Sequence, residues 1–281
     1  MKKCIKAQLL VLFNRRQFKF VFAFSLIFSI LSFLFYAFFS FGQYESDVKS
    51  YRDVCLVSSE NIFSAIFIMV LPIISTAAFC DIFIEDKKSN RLSIIFQKCK
   101  KNEYYISSSI VSMLSNIFTI FVPMLLNLIL CAVAFPKFSS ADLTGLAGNQ
   151  ANLYSASSDY MNLLAFKKLF MSSPFVYSFL YIVLMTLYAC AGSLITYSLS
   201  YFIKNRGMII VPFFVINCLT NICSSAIFKI FKINISISNY ITSENISYGI
   251  NYKTFFIILI IMIIVSIFIS LKNLKTLGDI L

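Results

Sequence analysis

Residues 20–42 read FVFAFSLIFSILSFLFYAFFSFG, a continuous apolar stretch without a charged residue. A helix needs about 20 consecutive apolar residues to cross the hydrocarbon core of a bilayer, and this stretch has that length. It is about twice as long as the apolar region of a signal peptide, and no small-x-small cleavage site follows it. We therefore expect the stretch to stay in the protein as a membrane anchor.

Five further apolar runs follow, separated by polar clusters. They cover residues 62–82, 105–135, 174–203, 208–228 and 254–271. Over the whole chain 59% of residues are hydrophobic and 13% are charged, and the mean hydropathy is +0.84. Soluble domains carry about 25% charged residues, so this composition cannot make a water-exposed surface. The sequence predicts an all-α polytopic membrane protein in which residues 1–281 form one domain with six transmembrane helices.

The distribution of basic residues predicts the orientation of these helices. Of the 24 Lys and Arg residues, sixteen precede the first run, follow the second, follow the fourth or follow the sixth. The other eight lie in the alternate segments, residues 43–61, 136–173 and 229–253, which become the outer loops under the positive-inside rule. Both termini are therefore expected in the cytoplasm, and the composition favours a bacterial plasma membrane. Because the basic residues are accounted for by topology, we expect no nucleic-acid partner.

Residues 1–19 have the pattern of an amphipathic helix that lies in the membrane interface. Its apolar stripe consists of Ile5, Leu9, Leu12 and Phe13. The basic residues Lys2, Lys6 and Arg16 lie off that stripe. The alternative is that these residues only flank the first span and supply its positive charge.

Residues 83–104, FIEDKKSNRLSIIFQKCKKNEY, form the most informative polar segment. Leu92, Ile95 and Phe96 share one helical face, with acids before them and lysines after them. This pattern predicts a short amphipathic helix across the cytoplasmic mouth of the bundle. A solvated loop whose charges serve only topology is the alternative.

Polar residues are few inside the predicted spans. Asp81 is the deepest acid, and we expect it to reach the headgroups or to cap the following segment. Asn116, Asn217 and Asn221 are expected to join helices by hydrogen bonds, with a weaker alternative that they face a substrate path. The eight cysteines are scattered and are interpreted as small buried apolar residues.

Catalytic and cofactor motifs are missing from the sequence. The chain has no histidine, no G-x-S-x-G, no P-loop and no G-x-G-x-x-G. We therefore expect that it is not an enzyme and that it binds no cofactor or metal of its own.

Taken together, this layout resembles the membrane subunit of a type-2 ATP-binding-cassette (ABC) exporter. The resemblance is carried by the interfacial segment before the first span, by the loop after the second, and by residues 189–212, ACAGSLITYSLSYFIKNRGMIIVP. In the loop, the residues in comparable places are Glu85, Asn90, Leu92, Ile94, Ile95, Lys101 and Tyr104 or Tyr105. The chain departs from the family where Asn90 stands in place of Gly, where Lys101 stands in place of Arg, and where no proline precedes Lys101.

The resemblance implies that residues 85–104 include a coupling helix that docks on a separate ATPase, which binds ATP and Mg²⁺. The implied coupling residues are Glu85, Asp86, Arg91, Leu92, Ile95, Phe96, Lys98 and Lys101. It also implies a second permease chain and export of an amphipathic substrate such as an antimicrobial peptide, a drug or a lipid. An ion-coupled secondary carrier, a membrane scaffold and an unrecognised intramembrane enzyme are the alternatives.

Overall fold

The computed structural model describes residues 1–44, 47–137, 166–203, 205–243 and 250–276. Within these ranges the chain is helical and has no β-strand, apart from an isolated bridge between Ser58 and Ser243. Six of the described helices are long and apolar enough to cross a membrane, which confirms the predicted all-α, multi-pass fold. We call them spans one to six: Arg16–Ser40, Ile62–Lys88, Lys101–Ala134, Pro174–Leu199, Arg206–Phe231 and Tyr252–Lys272.

The individual helices follow in chain order. The first half of the chain contains α1 (Lys2–Asn14), α2 (Arg16–Ser40), α3 (Tyr51–Val54), α4 (Ile62–Ala77), α5 (Ile82–Lys88), α6 (Arg91–Lys98), α7 (Lys101–Asn116), a π-helical turn (Ile117–Phe121) and α8 (Val122–Ala134). The second half contains α9 (Lys167–Ser172), α10 (Pro174–Leu199), a 3₁₀ turn (Arg206–Ile209), α11 (Ile210–Phe231), α12 (Ser238–Ile241) and α13 (Tyr252–Thr276).

The helix ends lie within a few residues of the predicted ones, except where polar residues extend a helix beyond its apolar run. Span two continues through α5 to Lys88, and span three starts at Lys101 because α7 begins with polar residues. In span three the π-helical turn immediately precedes Pro123. Proline cannot donate the backbone hydrogen bond of a regular α-helix, and this local change of winding accommodates it.

Span four lies at the centre of the bundle. In the most apolar stretch of this helix 72% of the residues are buried within the protein, compared with 17% in span one. It packs against spans two, three and six along its length. Spans one, five and six turn large apolar side chains outward, as expected of helices that face lipid.

Segments between the spans gather at two ends of the bundle. We call the end that carries α1, α5 and α6 the basic end, because most Lys and Arg residues lie there. At the opposite end, part of the segment between spans one and two folds back onto the bundle. Residues 50–58, within predicted outer loop 43–61, are buried against the spans, and Asn127 accepts a hydrogen bond from the Leu56 N–H at 2.8 Å.

The other two predicted outer loops are described only in part. Residues 138–165 of the predicted loop 136–173 lie outside the described residues. In the predicted loop 229–253, the backbone N–H of Ser243 donates to the carbonyl of Val57, 2.9 Å away. This hydrogen bond links the loop after span five to the buried segment before span two.

Candidate functional site

An arginine at the junction of α1 and α2 reaches into the basic end of the bundle. Arg15 has an extended backbone conformation, which separates the two helices. Its guanidinium Nη2 lies 2.8 Å from Oδ1 of Asp81 and 2.6 Å from Oε2 of Glu85. The side chain of Arg15 is only 8% exposed, so these are interactions with little solvent screening.

A second arginine completes the group. Nη2 of Arg206, in the turn that opens span five, lies 3.0 Å from Oε2 of Glu85, and its Nε lies 3.8 Å from Oδ2 of Asp81. We call Arg15, Asp81, Glu85 and Arg206 the charge cluster. Its two positive and two negative charges compensate each other, which buried charges require. The cluster ties spans one, two and five together at the basic end.

The structure gives Asp81 a different role from the predicted ones. It occupies the N-cap position of α5, yet its side chain makes no capping hydrogen bond. It is buried and paired with Arg15 instead of reaching toward the headgroups. The pairing was not predictable from sequence, because the two residues are far apart in the chain and nothing local marks Arg15 as different from Arg16.

Aromatic residues hold the other side of α5. The ring of Phe83 stacks on that of Tyr201, at the end of span four, with 3.8 Å between centroids. The hydroxyl of Tyr104 in α7 donates to Oδ2 of Asp86 at 2.6 Å. The short helix α5 is therefore held by charged contacts to spans one and five and by aromatic contacts to spans three and four.

Beyond α5 the chain reverses and forms α6, the helix that the sequence predicted in this segment. The reversal occurs at Asn90, whose φ of 54° is left-handed, a conformation that asparagine tolerates better than most residues. No residue of α6 is buried. The helix therefore lies on the surface of the basic end, joined to spans two and three by short turns.

The predicted coupling residues are distributed over three helices. Glu85 and Asp86 lie in α5 and make the contacts described above, whereas Lys101 opens α7. Arg91 and Lys98, at the two ends of α6, are exposed.

The apolar face of α6 is turned partly toward the protein itself. Leu92, Ile95 and Phe96 are half-buried against the core, and the Phe96 ring lies edge-on to Tyr104, 5.7 Å away. Ile94, by contrast, is 57% exposed. Ile94 lies on the polar face of α6, opposite Leu92, Ile95 and Phe96. An apolar residue at such a position is the sequence signal that indicates an exposed apolar side chain.

The three asparagines within the spans make packing contacts. Asn116 is buried, and its Nδ2 donates to the carbonyl of Ala189 in span four at 3.4 Å. Asn217 accepts a hydrogen bond from Tyr188 at 3.1 Å, and Asn221 accepts one from Ser236 at 2.8 Å. Each amide thus joins separate elements, as expected of polar side chains in membrane bundles. None of the three lines the groove described next.

A groove of about 380 Å³ opens beside the charge cluster, between spans one, two and five. Apolar side chains line most of it, including Phe20, Phe24 and Ile73. Gln17, Asp81 and Arg206 close its end nearest the basic end. The groove therefore combines a long apolar wall with a charged end.

One cysteine pair departs from the sequence-based interpretation. Cys4 in α1 and Cys99 after α6 are joined through their sulfur atoms, with the Cα atoms 7.1 Å apart. From the sequence, all cysteines were interpreted as isolated apolar residues. The pair could not be predicted, because no local motif relates two positions that lie 95 residues apart. The pair links α1 to the turn between α6 and α7. Among the described residues no group of three or more potential ligands could hold a metal ion.

Comparisons with protein-family models, with characterised proteins and with solved structures found no match to this chain. The fold, the charge cluster and the groove are therefore interpreted from their geometry alone.

Proposed function

We propose that the chain is the permease subunit of an ABC exporter, and that α6 is the helix on which a separate ATPase acts. The observation that carries the proposal is the exposure of the polar face of α6 between spans two and three, with Ile94 uncovered among Arg91, Gln97 and Lys98. An apolar side chain surrounded by exposed polar and basic ones is the composition of a protein-docking surface with a small apolar centre. The resemblance of the layout to type-2 ABC permeases supports the same reading.

The contacts of α5 give a physical route from this surface into the membrane. A displacement of α6 would pull on α5 through the short turn at Asn90. Through Asp81 and Glu85, α5 would move spans one and five, and through Phe83 it would move span four. Elements packed this tightly move as rigid bodies, so a small shift at α6 would become a tilt of several spans.

The remaining parts of the proposal follow from the same arrangement. Both termini, α1 and α6 would face the cytoplasm, where ATP and Mg²⁺ are bound by the partner ATPase. Span one and span five, with their outward apolar faces, would contact lipid and a second permease chain. The exported substrate would be amphipathic, with peptides, drugs and lipids as the candidates.

Co-purification tests the proposal directly. The tagged chain would be isolated in mild detergent from its native cells, and mass spectrometry would be used to look for a P-loop ATPase in stoichiometric amount. We expect the Ile94→Glu variant to lose this ATPase, since it places a charge at the apolar centre of the docking surface. Ala7→Glu, which adds the same charge at an exposed position of α1, is the matched control and should retain it.

Two results would count against the proposal. The first is a purified chain that carries no ATPase yet moves a solute along an ion gradient in proteoliposomes, which would favour a secondary carrier. The second is an ATPase whose recovery is the same with Ile94→Glu as with the unaltered chain, because α6 would then not be its docking element.

A further inference from the structure

The groove beside the charge cluster has the shape and chemistry of a site for a membrane amphiphile. Its walls belong to membrane-spanning helices, and Phe20, at its edge, is 74% exposed. Phe24 and Ile73 are also exposed along its length. The apolar part is thus open sideways to the hydrocarbon layer, where an acyl chain could fill it without crossing a polar surface.

The charged end of the groove favours an anion. Asp81 contributes no accessible negative charge there, because it is buried and paired with Arg15 at 2.8 Å. Arg206 is 39% exposed; its Nη2 is paired with Glu85 at 3.0 Å, and its buried Nε faces Asp81 at 3.8 Å. The exposed part of its guanidinium can donate a further hydrogen bond to an anionic acceptor at the groove end.

Basic residues beside the groove strengthen this preference. Arg16 and Lys19, on the first turns of α2 next to the lining residue Gln17, are both exposed. Clusters of Lys and Arg at the end of a span attract anionic lipid headgroups. The charges therefore complement a phosphate placed at the level of the lipid headgroups.

We propose that this groove binds an anionic phospholipid, with its phosphate on Arg206 and one acyl chain along Phe20, Phe24 and Ile73. The lipid would fill the gap between spans one, two and five, and its phosphate would contact the exposed part of the Arg206 guanidinium. The site does not depend on an ATPase partner, so its failure would leave the proposed permease function unaffected, and the reverse also holds.

Native mass spectrometry of the delipidated full-length chain in detergent tests the site, with dioleoyl phosphatidylglycerol and dioleoyl phosphatidylcholine as probes. We expect the anionic lipid to bind about tenfold more tightly, the size of one charge-assisted hydrogen bond. Arg206→Gln should abolish this preference, and Arg206→Lys should keep most of it. Lys3→Gln, exposed on α1 and outside the groove, is the control for the general loss of a basic residue and should keep the preference.

A second pair of variants tests the acyl part and does not alter the charge cluster. Ile73→Trp fills the groove and should weaken binding of both lipids, whereas Met69→Trp, exposed on the same helix but outside the groove, should not. Millimolar inorganic phosphate should fail to displace the lipid, since the acyl chain supplies much of the binding. Displacement by phosphate, equal binding to Arg206→Gln, or an altered dimer fraction in Ile73→Trp without an effect on lipid would each overturn the proposal; the last would assign the groove to a second copy of the chain.

Discussion

The guanidinium of Arg15 and the carboxylate of Asp81, 66 positions apart in the chain, form a buried ion pair at the basic end of the bundle. The pair fixes the start of span one against the end of span two. Because Glu85 and Arg206 join it, one cluster orients three spans and the base of α5. Any movement of α5 therefore has to carry these spans with it or break charged contacts in a poorly solvated place.

Removing the Arg15 side chain should destabilise the protein strongly. Arg15→Gln would leave Asp81 and Glu85 with only Arg206 as a cationic partner, and breaking a buried pair costs about 3–5 kcal/mol. We expect a clear fall in the apparent melting temperature, measured by thermal shift in detergent. Arg16→Gln is the matched control because Arg16 is exposed. An equal effect of the two variants would show that charge, and not the pair, matters.

A methyl group added at Gly192 should destabilise the contact between span four and span five. A Cβ atom there would meet the ring of Phe213, which is itself fully buried, at overlapping distance. Overpacking of this kind costs about 1–3 kcal/mol, so Gly192→Ala should lower the apparent melting temperature. Gly207→Ala, which meets open space, should change little.

The same contact can be checked by rescue. Phe213→Leu replaces the ring that packs against Gly192 with a smaller side chain. The double variant with Gly192→Ala should therefore recover part of the stability lost by Gly192→Ala alone. Strictly additive losses in the double-mutant cycle would mean that the two residues do not interact.

The hydroxyl of Tyr104 should hold the base of α6 in place. Tyr104→Phe leaves the buried Asp86 without this donor, and an unsatisfied buried acceptor costs about 1–3 kcal/mol. We expect faster amide hydrogen exchange in α5 and α6, with the far spans unchanged. Tyr44→Phe, at an exposed position near the opposite end, should have no effect. Unchanged exchange in Tyr104→Phe would show that the hydrogen bond does not restrain these helices.

The cysteine pair should report which side of the membrane the basic end faces. The cytoplasm keeps thiols reduced, and the proposed orientation puts Cys4 and Cys99 on that side. We expect Cys99, which is partly exposed, to react with a permeant maleimide in living cells, and the pair to form its disulfide after oxidative purification. Mass analysis of the labelled peptides, with Cys4→Ser as the control, checks this. Protection from labelling in intact cells, removed by a reductant, would place the basic end outside.

The six spans were predictable because the requirement that makes them is local. Each span needs about 20 apolar residues in succession, and one continuous segment of the sequence contains all of them. The helix α6 was predictable for a similar reason, since its stripe is a property of eight neighbouring residues. What the stripe could not reveal is its direction: Leu92, Ile95 and Phe96 pack partly inward, and Ile94 is the apolar residue left exposed.

The sites depended on contacts between distant positions. The charge cluster combines residues from three separate segments, and the groove brings span five, from the second half of the chain, against spans one and two. Likewise the burial of residues 50–58 was hidden, because a polar loop looks the same in sequence whether it is solvated or folded back onto the spans.

By itself the sequence determined that the chain is an all-helical membrane protein with six spans, since a bilayer requires long apolar segments whose backbone hydrogen bonds close within each helix. Only the tertiary structure decided which basic residues, among those that the structure describes, are buried partners and which remain at the surface. The physical reason is that a charge is tolerated inside the protein only when an opposite charge is brought to it, and that depends on how the spans pack.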